Sequence, residues 1–319
     1  PRPPLFSWSL AIGAMILQPF LGEEAVWWSM LALPAIYGAL TILPVAAIAR
    51  DHFGKAAGVI AAWLIAFMPA HVTHSTWGLA DHDSFVMLFI AIGFMFYLRA
   101  VKYAGSERLV RTTSIRPLDM LRAMGAVAQE RQYAMANAVL AGVAFGAASL
   151  GWKGFVVGPA ILFLAYAAQV ALNMFRRRDS TILSTLFLTM LLTNLLIALP
   201  FYAHPQMNLM LDGSGLQPFL FILLFTVVMM YITTGFRDKP WLLVLGTLAV
   251  GAVAFLGALW VLKYFNLSNA WDVLFTGGGY FTKTKIFGTV AEANAPDRGY
   301  MFASFGPIVF VFALVVGLT

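Results

Sequence analysis

The chain has 319 residues, of which 61% are hydrophobic and only 11% are charged. Its mean hydropathy is +0.83, whereas about 25% of the residues of a typical soluble domain are charged. This composition excludes an ordinary soluble protein and predicts an all-α, polytopic transmembrane helical bundle. A transmembrane β-barrel would need alternating segments of about 10 residues, but the apolar runs of this chain are long and continuous.

The charge and cysteine content exclude further classes. The net charge is +6, but basic residues in a membrane protein more often set its topology than bind nucleic acid, so we expect no nucleic-acid partner. The chain contains no cysteine, which excludes a disulfide framework and a thiolate metal site. Because the chain begins at Pro1 and ends within an apolar run, we interpret it as an internal piece of a longer protein.

The apolar runs predict nine membrane spans in one transmembrane domain covering residues 1–319. Before the first span, residues 7–20 are expected to form an interfacial helix or a short loop helix. The predicted spans cover residues 26–49, 56–70, 84–98, 134–150, 155–174, 182–200, 216–234 and 241–262, and the last begins near residue 305. Residues 201–217 and 263–303 are predicted to be external loops, the second one unusually long for a connector.

The distribution of basic residues predicts which side of the membrane each loop occupies. If loops alternate, 14 of the 20 Lys and Arg residues fall in segments 50–55, 99–131, 176–178 and 237–239. Cytoplasmic loops carry an excess of Lys and Arg, so these segments are predicted to be cytoplasmic. The segment 71–83 and the 263–303 loop then lie on the extracytoplasmic side.

The segment between the second and third predicted spans has the densest group of polar residues. Asp81 and Asp83 flank His82, and His71 and His74 precede them. Carboxylate oxygens suit Mg²⁺ and Mn²⁺, and an imidazole nitrogen shifts the preference towards transition metals. The alternative is a hydrated turn in which Asp83 caps the following helix. We expect His82 to be a solvent-facing spacer, because alternate residues of an extended turn point apart.

The 263–303 loop contributes a further candidate acid, Glu292, within Thr-Val-Ala-Glu at residues 289–292. Its predicted side of the membrane is that of Asp81 and Asp83, so the three carboxylates could form one cation site. Lys283, Lys285 and Arg298 lie in the same loop. They are either phosphate-binding residues or hydrated loop charges.

Two motifs now indicate a family. Trp-Gly-Leu-Ala-Asp-His-Asp at residues 77–83, followed by an apolar run, resembles the second acidic motif of the oligosaccharyltransferase catalytic subunit. Thr-Val-Ala-Glu in a late external loop resembles the short Glu motif of the same family, which includes the archaeal AglB and bacterial PglB types. The order of the motifs and their predicted side of the membrane also match. The resemblance covers essentially the whole chain and implies a GT-C glycosyltransferase fold.

The resemblance implies a metal-dependent transfer of a glycan from a lipid-linked phosphate or pyrophosphate donor to Asn of Asn-x-Ser/Thr acceptors. Asp81 and Glu292 would be catalytic, and Asp81, Asp83 and Glu292 would hold Mn²⁺ or Mg²⁺. The family often has Arg where this chain has His74, so His74 is a candidate substrate-binding residue. A single-subunit enzyme of the cell membrane, in contact with membrane lipid, is the implied setting.

Two other functions stay open. Another polyprenyl-phosphate sugar transferase would also have an external acidic motif, but typically in its first external loop. A multispan transporter is the alternative from a different class. Carriers usually bury ionisable residues in the middle of their spans, whereas the acids here fall at predicted span ends and in loops.

Overall fold

The computed structural model describes residues 3–78, 80–105, 116–204, 216–236, 239–264 and 303–304. The chain divides into two units, Pro1–Arg237 and Asp238–Thr319, which are considered separately. All regular elements in the described ranges are helical, which confirms the all-α prediction.

The described part of the first unit contains ten α-helices. They are α1 (Leu5–Leu21), α2 (Ala25–Phe53), α3 (Lys55–Phe67), α4 (Pro69–Thr73), α5 (Asp83–Ala104), α6 (Pro117–Glu130), α7 (Gln132–Ser149), α8 (Val157–Phe175), α9 (Thr181–Tyr202) and α10 (Leu216–Phe236). Short 3₁₀ turns occur at Gly22–Glu24 and Lys153–Val156. The second unit contains α11 (Trp241–Tyr264).

Several of these helices are apolar enough for a membrane protein, as predicted. Among the described residues, four helical stretches are both long and apolar enough to cross a bilayer: Leu5–Phe53, Asp83–Ala104, Lys153–Phe175 and Thr181–Tyr202. Helices occupy eight of the nine predicted span positions, and the ninth lies outside the described residues. A count of nine spans is therefore not confirmed.

The second predicted span is shorter than expected and is broken at Met68. This residue has an extended backbone, with φ −67° and ψ 118°, between the end of α3 and the start of α4. Pro69 explains the break, because a proline disfavours the helical conformation of the residue before it. The short α4 then begins the segment 71–83, called the acidic segment below because it contains Asp81 and Asp83.

Within the basic segment 99–131, α6 is a helix that the sequence analysis did not predict. Pro117 begins it, in the helical position where proline costs least. Met120 and Val127 are buried whereas Leu118 and Leu121 are exposed. The sequence analysis interpreted this segment from its basic residues alone and did not consider the spacing of its apolar residues.

The core of the first unit is built on α7, which packs against both α5 and α9. Small side chains allow this close approach, and α7 contributes a fully buried row: Ala134, Ala138, Ala141, Phe145 and Ala148. A Cβ added at Gly142 would lie 2.6 Å from the carbonyl oxygen of Met190 on α9. Such small-residue contacts are typical of helices packed within membranes. On its other side α7 packs against α5, which begins in the acidic segment (residues 71–83).

The two ends of α5 have different chemistry. At the far end, Nε of Arg99 donates to Oδ2 of Asp51 at 2.6 Å, and Nη2 of Arg50 lies 3.0 Å from Oδ1 of the same carboxylate. Asp83 begins the helix at the other end, about 24 Å from Arg99 at 1.5 Å per residue. The acidic and basic groups therefore lie at opposite ends of one helix, and the side of the membrane that each end faces stays a prediction.

Candidate metal centre

The acidic segment is held against α2. The backbone N–H of Gly78 donates to the carbonyl oxygen of Leu31 at 3.1 Å, and the rings of Trp77 and Trp28 pack edge to face at 5.9 Å. Gly78 has φ of +89°, a conformation that glycine adopts at little cost. The chain can therefore turn sharply here and enter α5 with Asp81, His82 and Asp83 at its start.

Asp81 and His82 form a tight pair. Oδ1 of Asp81 accepts a hydrogen bond from the backbone N–H of His82 at 2.7 Å. The same oxygen lies 2.6 Å from Nδ1 of the His82 ring. Two donors of one residue therefore fix this carboxylate oxygen.

Asp83 is held by a histidine from the turn before it. Its Oδ2 lies 2.7 Å from Nδ1 of His74, and its Oδ1 lies 3.8 Å from Nε2 of His82. As the first residue of α5, Asp83 also places negative charge at the positive end of the helix dipole, which is favourable. The carboxylate is thus oriented by His74 and by its position in the helix.

One prediction about this segment is wrong, and so is the alternative in which Asp83 caps the helix. His82 is not a spacer that points away from the aspartates, because its backbone is helical, with φ −76° and ψ −10°, rather than extended. Asp83 does not cap α5, because His82 occupies the N-cap position and no side-chain cap bond forms there. The helical turn starts one residue earlier than expected and gathers all three side chains.

Aromatic rings from distant parts of the chain enclose His82. Its ring centroid lies 6.4 Å from that of Phe6 on α1 and 6.2 Å from that of Trp152 after α7. The backbone N–H of Leu5 donates to the carbonyl oxygen of Leu150 at 2.8 Å, which joins these two regions. No local sequence signal connects Phe6 or Trp152 to the acidic segment, and the sequence analysis missed both.

The donor set fits a divalent cation. Asp81, His82 and Asp83 each offer one ligand atom, and these atoms all lie within 4.8 Å of one another. The three side chains are 41%, 28% and 35% exposed, so an ion has access from outside. Two carboxylates and one imidazole suit Mn²⁺, Zn²⁺ or a similar cation. Asp81 and Asp83 are therefore brought together as the sequence predicted, and His82 joins them.

Other candidate residues cannot be placed in the site. Glu292, Lys283, Lys285 and Arg298 lie outside the described residues, as do residues 205–215 of the first predicted external loop. His71 is described and has a different neighbour, because its Nε2 lies 3.1 Å from the carbonyl oxygen of Gly38. The convergence of Glu292 with Asp81 stays a prediction.

Comparison with known sequences supports the resemblance. Residues 26–276 match the sequence family described as "Oligosaccharyl transferase STT3, N-terminal". A curated relative from Archaeoglobus fulgidus, "Dolichyl-phosphooligosaccharide-protein glycotransferase 3", is 33% identical over 173 residues. That match covers 53% of this chain but only 18% of the relative. The chain therefore corresponds to a minor part of that protein's length.

Solved structures share the fold. The archaeal oligosaccharyltransferase AglB from Archaeoglobus fulgidus, in complex with an inhibitory peptide and a dolichol-phosphate, superposes with a TM-score of 0.62 at 22% identity. The match covers 86% of this chain and 31% of that one. A structure of the Archaeoglobus fulgidus oligosaccharyltransferase with Zn and sulfate covers 99% of this chain and 37% of its own, with a TM-score of 0.58 and 21% identity.

Proposed function

We propose, on the premise that the chain belongs to the STT3 family of oligosaccharyl transferases, that it is the membrane part of an enzyme that glycosylates asparagine. The donor is a glycan on a polyprenyl or dolichyl phosphate or pyrophosphate, and the acceptor is Asn in an Asn-x-Ser/Thr segment. The name of the 33% identical relative supports the donor class. A structural neighbour tethered to an acceptor peptide with the NVT sequon supports the acceptor class; it has a TM-score of 0.60 and 21% identity, and covers 82% of this chain and 30% of its own.

The observation that carries this proposal is the cluster of Asp81, His82 and Asp83 at the start of α5. The cluster lies within the residues that match the family. Asp81 and Asp83 would hold Mn²⁺ or Mg²⁺, and Glu292 would complete the site from the 263–303 loop. The neighbour solved with Zn supports a cation of this class.

The residues of this chain have distinct roles in the transfer. An amide nitrogen is a poor nucleophile, because its lone pair is conjugated with the carbonyl group. Asp81 and Glu292 would accept hydrogen bonds from the N–H groups of the acceptor amide, which weakens that conjugation. Asp81, Asp83 and Glu292 would hold Mn²⁺ or Mg²⁺, which would supply Lewis-acid stabilisation of negative charge on the phosphate leaving group.

Three basic residues are proposed to bind the donor. Lys283, Lys285 and Arg298 would contact its phosphates as cations, and His74 supports the site through Asp83. The lipid tail of the donor accounts for a site at the end of membrane helices. We assign the site to the extracytoplasmic face of the cell membrane. The acidic segment lies at the opposite end of α5 from Arg50 and Arg99, which belong to segments predicted to be cytoplasmic. We propose that the enzyme acts as a single subunit.

A carrier function has less support. Among the described residues, acidic side chains lie at or near helix ends; they are Glu23, Glu24, Asp51, Asp81, Asp83, Asp119, Glu130 and Asp179. Carriers place such groups in the middle of their spans. The family match also favours transferase chemistry over transport and over other polyprenyl-phosphate sugar transferases.

Transfer to a peptide tests the proposal directly. The full-length protein is incubated with a lipid-linked oligosaccharide extract and a fluorescent Asn-x-Thr peptide, and glycopeptide is measured by gel shift and mass spectrometry. Asp81→Ala and Glu292→Gln should each lower the rate at least about 100-fold. Asp119→Asn is the matched control, because Asp119 occupies the first turn of α6 as Asp83 does in α5. An Asn-x-Ala peptide that reacts as well as Asn-x-Thr would contradict the proposed acceptor.

A further inference from the structure

We propose that α6 lies in the plane of a membrane interface that contains anionic lipid, with Leu118 and Leu121 inserted between the headgroups and the acyl chains. The inference concerns the basic end of α5, which is remote from the acidic segment. It does not depend on the proposed transfer reaction, so its failure would leave that proposal standing. Three features of the structure support it.

The first feature is the division of α6 into sides of different chemistry. One side faces the protein: Met120, Ala123 and Val127 are buried. Met120 packs in one apolar cluster with Leu188 of α9 and Met230 of α10. These contacts attach α6 to the bundle along one side only and leave the rest of its surface outside the core.

The outer surface of α6 has an apolar side and a charged side. At about 100° per residue, Leu118, Leu121 and Gly125 fall within about 60° of one another around the helix. The two leucines are 59% and 63% exposed, and a Cβ added at Gly125 would meet nothing within 4 Å. Arg122 and Glu130, which are also exposed, lie further round the helix, about 70° and 150° from the centre of this group. An apolar side beside a charged side is typical of helices that lie in a membrane interface.

The second feature is the level at which α6 lies along the bundle. Helix α7 directly follows α6, and Ala134 near its start belongs to the same buried apolar cluster as Ala104 at the end of α5. Two exposed tyrosines adjoin these helix ends, Tyr103 at 55% and Tyr133 at 81%. Tyrosine is enriched where membrane helices meet the interface with water. Helix α6 is therefore at the level expected of an interfacial helix, and its 14 residues span only about 21 Å, less than the bilayer core of about 30 Å.

The third feature is the positive charge at this end of the first unit. Residues 176–178 belong to this end, because they precede α9, whose Leu186 lies in the same cluster as Ala104. Among the described residues here, ten basic side chains outnumber four acidic ones. The basic residues are Arg50, Lys55, Arg99, Lys102, Arg116, Arg122, Arg131, Arg176, Arg177 and Arg178, and the acidic ones are Asp51, Asp119, Glu130 and Asp179. Such an excess attracts anionic headgroups and repels the same surface of a second copy, which favours lipid as the partner.

Nitroxide labels on α6 of the full-length protein test the inference. Leu118→Cys, Leu121→Cys and Glu130→Cys are each labelled in a background without other reactive cysteines and placed in vesicles of equimolar phosphatidylcholine and phosphatidylglycerol. Collisions with oxygen report the acyl-chain region, and collisions with a water-soluble nickel complex report water. The labels at 118 and 121 should favour oxygen and lie about 5–10 Å into the boundary between headgroups and chains. The label at 130 is the matched control and should favour the nickel complex, because this position is on the opposite side of the helix from Leu121.

Vesicles of phosphatidylcholine alone test the choice of an anionic surface. Without anionic lipid, the label at 121 should collide with the nickel complex about fivefold more often, because the attraction of the basic residues is lost. Unchanged collisions in neutral vesicles would overturn the anionic partner.

Two results in the anionic vesicles would overturn the interfacial position itself. One is equal access of the nickel complex to the labels at 121 and 130, which would place both in water. The other is a label at 121 that neither reagent reaches, which would show that protein, from this chain or a second copy, covers the helix. The labels at 118 and 121 are carried by separate variants, so either one decides the question if the other fails to fold.

Discussion

Nδ1 of His74 lies 2.7 Å from Oδ2 of Asp83, across nine residues of chain. The contact connects the end of α4 to the first residue of α5 and fixes the orientation of a proposed metal ligand. His74 occupies the position where the resembled family often has arginine. A guanidinium group also donates to carboxylates, so both residue types can serve the same purpose.

Replacing His74 should therefore weaken metal binding without removing a ligand. We expect His74→Ala to lower Mn²⁺ affinity by about 10- to 100-fold, the usual effect of losing a residue that orients a ligand. His74→Arg should retain most of the affinity. Isothermal titration of the metal-free protein measures both. The control is His52→Ala, because His52 is an exposed histidine near the end of α2, away from the acidic segment. Equal losses in the Ala and Arg variants would contradict this role.

The close contact between α7 and α9 should limit the size of residue 142. In Gly142→Ala, the new Cβ would lie 2.5 Å from Cβ of Thr193 and 2.6 Å from the carbonyl oxygen of Met190. The backbone oxygen cannot move without shifting α9, so we expect a loss of about 1–3 kcal/mol in the free energy of unfolding. The midpoint of thermal unfolding in detergent should fall accordingly.

Gly125 on α6 is the matched control for this substitution. A Cβ added there meets nothing within 4 Å. Gly125→Ala should therefore stabilise the helix, by up to about 1 kcal/mol, because alanine is the better helix former. Equal decreases of the unfolding midpoint in both variants would show that the α7–α9 contact is not the cause.

The helices and the two aspartates were predictable because both depend on local sequence. Long apolar runs locate both ends of α7, α8 and α9 to within about two residues, and Asp81 and Asp83 are close in sequence, so they are close in space. The break at Met68 also has a local cause, Pro69, although the sequence analysis continued this span to residue 70.

The environment of His82 was not predictable in the same way. The orientation of the His82 ring depends on the helical backbone of His82 itself, where an extended turn was expected. It also depends on packing against Phe6 and Trp152, each about 70 residues away in the chain. Such contacts follow from the packing of α1, α5 and α7, which no local pattern encodes. Helix α6 was missed for a different reason, since its amphipathic pattern lies within a segment dominated by basic residues.

The ion pair between Arg99 and Asp51 should stabilise the fold without affecting the metal. Asp51 is 17% exposed and also pairs with Arg50, so Asp51→Asn weakens two charged hydrogen bonds. We expect the free energy of unfolding to fall by about 1–3 kcal/mol, with unchanged Mn²⁺ affinity.

Arg122→Gln is the control for this ion pair, because its partner Asp119 is 3.4 Å away and Arg122 is 71% exposed. Breaking so exposed a pair should change stability by less than about 1 kcal/mol. Chemical unfolding in mixed micelles compares the two variants. A loss of Mn²⁺ affinity in Asp51→Asn would show that the two ends of α5 are coupled.

Removal of the metal should separate the roles of the two aspartates. Chelation of the full-length protein should abolish peptide glycosylation, because the residues at the start of α5 would lose the cation that they are proposed to hold. Added Mn²⁺ should restore the activity of the wild type fully.

The two aspartate variants should respond differently to added Mn²⁺. Asp83→Asn keeps a neutral oxygen at the same place, so its activity should recover partly at higher Mn²⁺. Asp81→Ala loses both a proposed ligand and the acceptor that orients His82, so its activity should recover at no concentration. Glycopeptide formed per minute, measured across a Mn²⁺ titration, distinguishes a weakened site from a destroyed one. Glycosylation that survives complete chelation would contradict the proposed metal requirement.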